Sequence, residues 1–248
     1  MLADGTLVVL DAGSGIRSLG LKLQHEGIRT IHLCLTHLHL DHLEGLGHFA
    51  PIWDAGTELH VWGPPSAVGS LGARIARYFS PPLFPMQLSD IPARVAFHDV
   101  MTARWRLGSA TISSELICHP GPTLGYRLEE HGRALAYLPD HEPALGLPLD
   151  ELSPDWISGA GLAAGATVLL HDAQYSEEEY LTKLGWGHSS VADAVAFARA
   201  TEVDQLLLFH HDPLHSDPEL AQLQQRAREL WGTGAPPALA AEGMELDL

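Results

Sequence analysis

Short apolar runs separated by polar turns follow one another along most of the chain, and this pattern predicts more strands than helices. Strands are predicted at residues 6–10, 30–35, 58–62, 94–97, 111–117, 123–129, 134–137, 167–170 and 205–209. Helical patterns fall between several of these strands. The simplest interpretation is one α/β domain over residues 1–248.

Capping residues and apolar spacing mark the predicted helices. Ser190 is followed three residues later by Asp193, which is typical of a helix N-terminus. Ser216 is followed by Pro218, and proline is favoured in a first helical turn. Helices are predicted over residues 16–26, 66–79 and 190–201, and from residue 216 onward.

Composition and charge narrow the class of protein. Hydrophobic residues make up 46% of the 248 residues and charged residues 18%, which is typical of a globular chain. The formal charge of −17 argues against a broad basic surface for a polynucleotide, but leaves room for a nucleotide held by metals in a local cleft. No apolar run approaches the roughly 18–20 residues that span a bilayer. We predict no signal peptide and no membrane partner.

Two cysteines, Cys34 and Cys118, form neither a CxxC pair nor a disulfide framework. They favour a reduced, cytoplasmic setting in which both thiols are buried. The 16 histidines outnumber the 14 lysines and arginines together. Histidine is the commonest metal ligand in proteins, so their order along the chain matters.

The strongest pattern is H-x-H-x-D-H, formed by His37, His39, Asp41 and His42 directly after a predicted strand. In an extended chain His37 and His39 project to the same side, and the other two lie at the following turn. Such a segment can serve two metal ions, and imidazole with carboxylate suits Zn²⁺ and related ions. A polar loop with incidental histidines is the alternative. However, four potential ligands in six residues are costly to desolvate without a metal.

With this segment the chain resembles the metallo-β-lactamase superfamily. The early strand and glycine turn at residues 9–15 match that family, as do the strand ends at residues 118–121, 137–140 and 208–212. The resemblance implies an αββα sandwich, with a further strand pair before the point where this chain begins. It also implies two metal ions, one held by His37, His39 and His119 and the other by Asp41, His42 and His210, with Asp140 shared.

Three assignments have local alternatives. His141 could replace Asp140, but a carboxylate can bridge two metals with its two oxygens and an imidazole cannot. His210 is chosen over His211 by its position relative to the preceding strand, and the two could exchange roles. Asp11 could hold a ligand histidine or be an ordinary turn residue.

A second pair of segments resembles the ribonuclease Z and phosphodiesterase-like branch of the superfamily. One contains Asp172 at the end of a strand, and the other contains His188 at the start of a helix. The resemblance implies that His188 is a general acid and Asp172 its partner; Asp41 is assigned to catalysis as well as to the metal. The alternative is a helix-start histidine and a surface acid.

The predicted function is a dinuclear metal-dependent hydrolase of a small or cyclic nucleotide-like phosphodiester. The expected cofactors are two divalent ions, with zinc preferred and manganese or iron acceptable. Long nucleic acid is not expected, because the chain is acidic and lacks a long Gly- and basic-rich insertion. A homodimer is expected from an unpaired early strand. Alternatives are a carbonyl hydrolase of the same fold, acting on a lactone, thioester or β-lactam, and a non-catalytic metal-binding domain.

Overall fold

The computed structural model describes residues 1–24, 26–232 and 234–246. The chain separates into two compact units, Met1–Ala110 and Thr111–Leu248. The single domain over residues 1–248 stays a prediction. Within the described residues, no helix combines the length and the apolar character needed to cross a membrane.

The first unit contains a parallel sheet with helices in its connections. Its four strands, in spatial order, are β1 (Leu7–Leu10), β2 (Thr30–Cys34), β3 (Glu58–Gly63) and β4 (Arg94–Asp99). Each strand runs parallel to its neighbour. Helix α1 (Ile16–Leu23) connects β1 to β2, α2 (Leu71–Tyr78) connects β3 to β4, and β5 (Ala103–Leu107) follows β4.

The alternation of side chains along β2 explains the core of this unit. Ile31 and Leu33 are buried, whereas His32 between them is half-buried. The two buried residues belong to one apolar cluster with Ile16 of α1 and Ile75 of α2. Full burial of such a side chain contributes about 1.5–3 kcal/mol. This cluster holds the end of β2, where the H-x-H-x-D-H segment begins, in a fixed place.

The second unit has a mixed sheet. Its strands are β6 (Ala110–Leu116), β7 (Leu124–Glu130), β8 (Arg133–Leu138), β9 (Val168–Asp172), β10 (Gln205–Phe209) and β11 (Ala238–Leu239). Strands β6 to β8 pair in an antiparallel manner, and β8 to β11 are parallel. The helices are α3 (Ala160–Ala163), α4 (Glu177–Tyr180), α5 (Val191–Ala200) and α6 (Asp217–Trp231). The buried Leu169, Leu206 and Phe197 share one core cluster.

Helix boundaries test the capping arguments. At α5 the Ser190 hydroxyl accepts from the Asp193 amide at 3.1 Å, so the predicted cap is confirmed. The predicted helix start at residue 66 is wrong. Helix α2 begins at Leu71, because the Ser70 hydroxyl accepts from the Ala73 amide at 3.3 Å and caps the helix there.

Several short elements were not predicted: β5, β11, α3 and α4. In β5 the exposed Arg104 and Arg106 alternate with the half-buried Trp105. The period-two signal was therefore present, but the arginines obscured it. The expectation that both thiols are buried holds for Cys34, whereas Cys118 is only half-buried.

Candidate metal-binding site

In the first unit the four residues of the H-x-H-x-D-H segment lie together. The ring centroid of His37 is 4.4 Å from that of His39 and 4.3 Å from that of His42. Asp41 Oδ2 is 3.2 Å from His42 Nε2. His37 and His42 are buried, whereas His39 and Asp41 are exposed, so one end of the cluster is open to solvent.

This segment packs directly on the glycine turn that follows β1. A β-carbon on Gly13 would lie 2.5 Å from the Asp41 carbonyl oxygen, and one on Gly45 would collide with the Gly13 carbonyl. The Ala12 amide donates to the His42 carbonyl at 2.8 Å. The glycines are therefore required for the close approach of two backbone segments, which fixes the position of the histidines.

Asp11 is hydrogen-bonded to the segment that carries this cluster. Its side chain is buried and accepts from the Thr36 amide at 2.7 Å, the Thr36 hydroxyl at 2.9 Å and His42 Nδ1 at 2.9 Å. Of the two alternatives for Asp11, the structure shows a carboxylate that contacts a predicted ligand histidine. Because a carboxylate only accepts, His42 Nδ1 is the donor, and its Nε2 carries either a lone pair or an extra proton.

The same reasoning applies to His37. Thr36 Oγ1 donates its single proton to Asp11, so it can only accept from His37 Nδ1, which lies 3.0 Å away. His37 Nδ1 is therefore also a donor. Histidines that bind metals usually donate their other ring N–H to such a partner, so both residues fit a metal ion.

In the second unit two imidazoles face one carboxylate. Asp140 follows β8, and its Oδ2 lies 3.7 Å from His119 Nε2 and 3.4 Å from His210 Nε2. The Asp140 side chain is only 2% exposed. His119 Nδ1 donates to the Gly187 carbonyl at 2.8 Å, so its Nε2 carries either a lone pair or an extra proton. A protonated imidazole or a cation shared by the nitrogens and the carboxylate would satisfy this arrangement, and two ligands at about 2.0–2.2 Å from one tetrahedral ion lie at similar separations.

The two neighbouring histidines have other contacts. His211 Nε2 lies 3.4 Å from the Ala240 carbonyl oxygen. His141 is fully buried, and its Nδ1 lies 2.9 Å from His171 Nε2. Burial lowers the pKa of His171 to about 4 and that of His141 well below the usual value. Both rings are therefore uncharged at neutral pH, and they form a hydrogen bond in the interior.

Asp172 and His188, two of the predicted catalytic residues, are in contact in this unit. Asp172 is fully buried at the end of β9, and its Oδ2 accepts from His188 Nδ1 at 2.7 Å. Three backbone amides also donate to this carboxylate, those of His141, Gln174 and Ser189, at 3.0–3.1 Å. The His188 ring stacks on His210 with centroids 4.9 Å apart. The carboxylate thus fixes the imidazole with Nε2 free to carry a proton.

Sequence reasoning missed Glu142. This residue is fully buried, and its carboxylate accepts from the Tyr180 hydroxyl and from the amides of Gly185 and Gly187. The only local signal is that Glu142 follows Asp140 and His141 as a third ionisable residue after an apolar strand. Its partners lie about 40 residues away and become visible only in the fold.

The family described as the beta-lactamase superfamily domain matches residues 6–211, which is most of the chain. The chain belongs to the beta-lactamase superfamily. This confirms the resemblance stated above and the class of metal-dependent hydrolase. Among curated relatives, ribonuclease Z of Porphyromonas gingivalis is 24% identical over 290 residues, covering 98% of this chain and 90% of that protein. Ribonuclease Z of a Mycobacterium species is 25% identical over 254 residues, covering 91% and 81%.

Solved structures confirm the fold. The metallo-beta-lactamase fold protein YhfI from Bacillus subtilis matches with a TM-score of 0.70 and 15% identity, covering 98% of this chain and 88% of that one. A diphosphatase from the PhnP family matches with a TM-score of 0.67 and 20% identity, covering 100% and 82%. The predicted α/β class and metallo-β-lactamase fold are therefore confirmed.

Proposed function

We propose that this protein is a dinuclear metal-dependent phosphodiesterase that acts on a small or cyclic nucleotide-like substrate. The observation that carries the proposal is the buried Asp172 carboxylate bound to His188 at 2.7 Å, beside His210. A departing alkoxide needs a proton, and a carboxylate-held imidazole is suited to deliver it near neutral pH. The relatives named ribonuclease Z support phosphodiester chemistry.

The proposed ligands are those that family membership indicates. His37, His39 and His119 would hold one ion; Asp41, His42 and His210 would hold the other; Asp140 would be shared. Support comes from the hydrogen bonds at Nδ1 of His37, His42 and His119, because histidines that bind metals usually have their other ring nitrogen bonded in this way. Imidazole and carboxylate ligands favour zinc, and manganese or iron would also be accepted.

Divalent ions bound there would lower the pKa of water and neutralise charge on the phosphate. His188 would donate a proton from Nε2 to the leaving oxygen. Asp172 would stabilise the resulting imidazolium–carboxylate pair and keep the ring in one orientation. Asp41, which is exposed beside His42, would orient the attacking water as well as act as a ligand.

A small substrate is favoured over tRNA, although the relatives are named ribonuclease Z. The charge of −17 disfavours an extended phosphate backbone. A cytoplasmic setting is part of the proposal and is supported by two free cysteines. A homodimer is also part of it and is supported by β1, which lies at an edge of its sheet.

The test compares initial rates on bis-p-nitrophenyl phosphate and on an activated thioester with the same metal-loaded protein. The proposal predicts the larger kcat/KM for the phosphodiester, with loss of activity in His39→Ala. A larger kcat/KM for the thioester would favour the carbonyl-hydrolase alternative. Bound metal with turnover of neither substrate would favour the non-catalytic domain.

A further inference from the structure

Glu142 joins three segments of the second unit: its buried carboxylate bonds residues 180–187, and its amide bonds Cys118. Oε1 accepts from the Tyr180 hydroxyl and from the Gly185 amide, each at 2.8 Å, and Oε2 accepts from the Gly187 amide at 2.8 Å. The Glu142 amide donates to the Cys118 carbonyl at 3.0 Å. Hydrogen bonds to a carboxylate are roughly twice as strong as neutral ones, so this is a firm junction.

The residues that Glu142 holds lie next to two imidazoles of the proposed site. Gly187 is anchored by its amide to Glu142, and its carbonyl accepts from His119 Nδ1 at 2.8 Å. A β-carbon on Gly187 would lie 2.5 Å from His119 Nδ1, so the peptide packs closely against that ring. The next residue along the chain is His188, which is bound to Asp172.

Burial of the Glu142 carboxylate has a cost in free energy that its hydrogen bonds must offset. Removing an ionised carboxylate from water costs several kcal/mol, which these three hydrogen bonds offset. Burial and the neighbouring carboxylate raise the pKa of Tyr180, so its hydroxyl remains a donor near neutral pH. Two of the three donors are the amides on either side of Trp186, so the carboxylate fixes the backbone of residues 185–187.

We propose that Glu142 is a positioning residue: it fixes the Gly187 peptide so that its carbonyl holds His119 with Nε2 directed towards Asp140. This inference rests on the proposed role of His119 as a metal ligand. The carboxylate acts through the peptide and does not touch a metal or substrate. Loss of such an orienting partner typically lowers metal affinity 10–100-fold.

The test uses Glu142→Gln with two matched controls. Glutamine has the same size, but its NH₂ group faces one or two of the three donors. Hydrogen bonds that hold residues 180–187 are therefore lost. Tyr180→Phe removes only the hydroxyl group and leaves both backbone hydrogen bonds to Glu142. Glu179→Gln changes a neighbouring carboxylate that is bonded to Ser176 and His215 instead.

Two measurements are made on each full-length variant: zinc affinity by competition with a chromophoric chelator, and hydrogen exchange of peptides that cover residues 181–188. Glu142→Gln should raise the zinc dissociation constant about 10–100-fold and speed exchange at residues 185–187. Both controls should stay within about threefold of the unmodified protein. Unchanged zinc affinity in Glu142→Gln, or an equal loss in Glu179→Gln, would overturn the proposal.

A measurement on the unmodified protein covers the case in which Glu142→Gln does not fold. Long-range ¹⁵N–¹H correlation spectra report the tautomer of each histidine, and His119 should carry its proton on Nδ1. A proton on Nε2 alone, or a rapidly exchanging Gly187 amide, would overturn the proposal. The readouts do not involve turnover, so a protein that binds zinc as expected but cleaves no phosphodiester would refute only the proposed function.

Discussion

Replacing Asp172 by asparagine should separate the proposed proton-donating role of His188 from metal binding. The carboxylate accepts from His188 Nδ1 and the His141 amide at one oxygen, and from the amides of Gln174 and Ser189 at the other. Asparagine places an NH₂ group at one of these two positions. With NH₂ towards His188, the ring can switch tautomer and accept at Nδ1, so only the His141 amide loses its acceptor.

The magnitude follows from these contacts. One buried N–H without an acceptor costs about 1–3 kcal/mol, so the free energy of unfolding should fall by that amount. In the other orientation two amides lose their acceptor and the cost is about twice as large. The imidazolium form of His188 also loses its anionic partner. General acid catalysis contributes about 10²–10⁴ in rate, which sets the expected loss of kcat.

The assay depends on the leaving group. A nucleotide phosphodiester expels an alkoxide and needs the proton, whereas a nitrophenyl ester expels a stable anion without one. Asp172→Asn should therefore lower kcat about 10²–10⁴-fold on the nucleotide substrate, but less than about tenfold on bis-p-nitrophenyl phosphate. His188→Ala should show the same selectivity, and both variants should keep their metal.

Equal losses of kcat on the two substrates would refute this reasoning, because the proton would then have no special role at the alkoxide. Loss of metal from Asp172→Asn would refute it in another way. The residue would then support the metal site rather than a proton donor.

Further predictions concern the metal, the pH dependence of stability and one glycine. His39→Ala should lose both metal and activity by elemental analysis and rate assay, whereas His188→Ala should keep its metal; equal metal loss would contradict the division of roles. Burial holds the pKa of His171 at about 4, so the unfolded chain binds more protons between pH 4 and 6.5. Stability should therefore fall as pH decreases through that range, by about 2 kcal/mol between pH 7 and 5 in urea unfolding, and His171→Gln should flatten the curve. Gly187→Ala should lower zinc affinity and stability, whereas Gly185→Ala, with a similar positive φ but open space around its Cβ, should cost about 1–2 kcal/mol of stability only.

Local patterns predicted much of the fold and the order of the candidate ligands. The apolar run of β2 followed by His37 and His39 is legible in sequence because ligands and strand are adjacent. The cap at Ser190 is local in the same way. Those features depend on a few consecutive residues, so they can be recognised in a single amino-acid sequence.

The supporting contacts could not be predicted with the same certainty. Asp11 reaches Thr36 and His42 over 25 and 31 positions, and Glu142 reaches Gly187 over 45. No spacing rule links residues so far apart. The start of α2 at Leu71 was also missed: Ser66 and Ser70 both precede apolar residues, and only the fold shows that the Ser70 hydroxyl accepts from the Ala73 amide.

The most direct test of the central claim is turnover of bis-p-nitrophenyl phosphate as metal is titrated back into chelator-treated protein. The account predicts no activity without metal and a rise to a plateau near two bound ions per chain, with no such rise in His39→Ala. Turnover that persists after complete metal removal, or full metal occupancy without turnover, would contradict it.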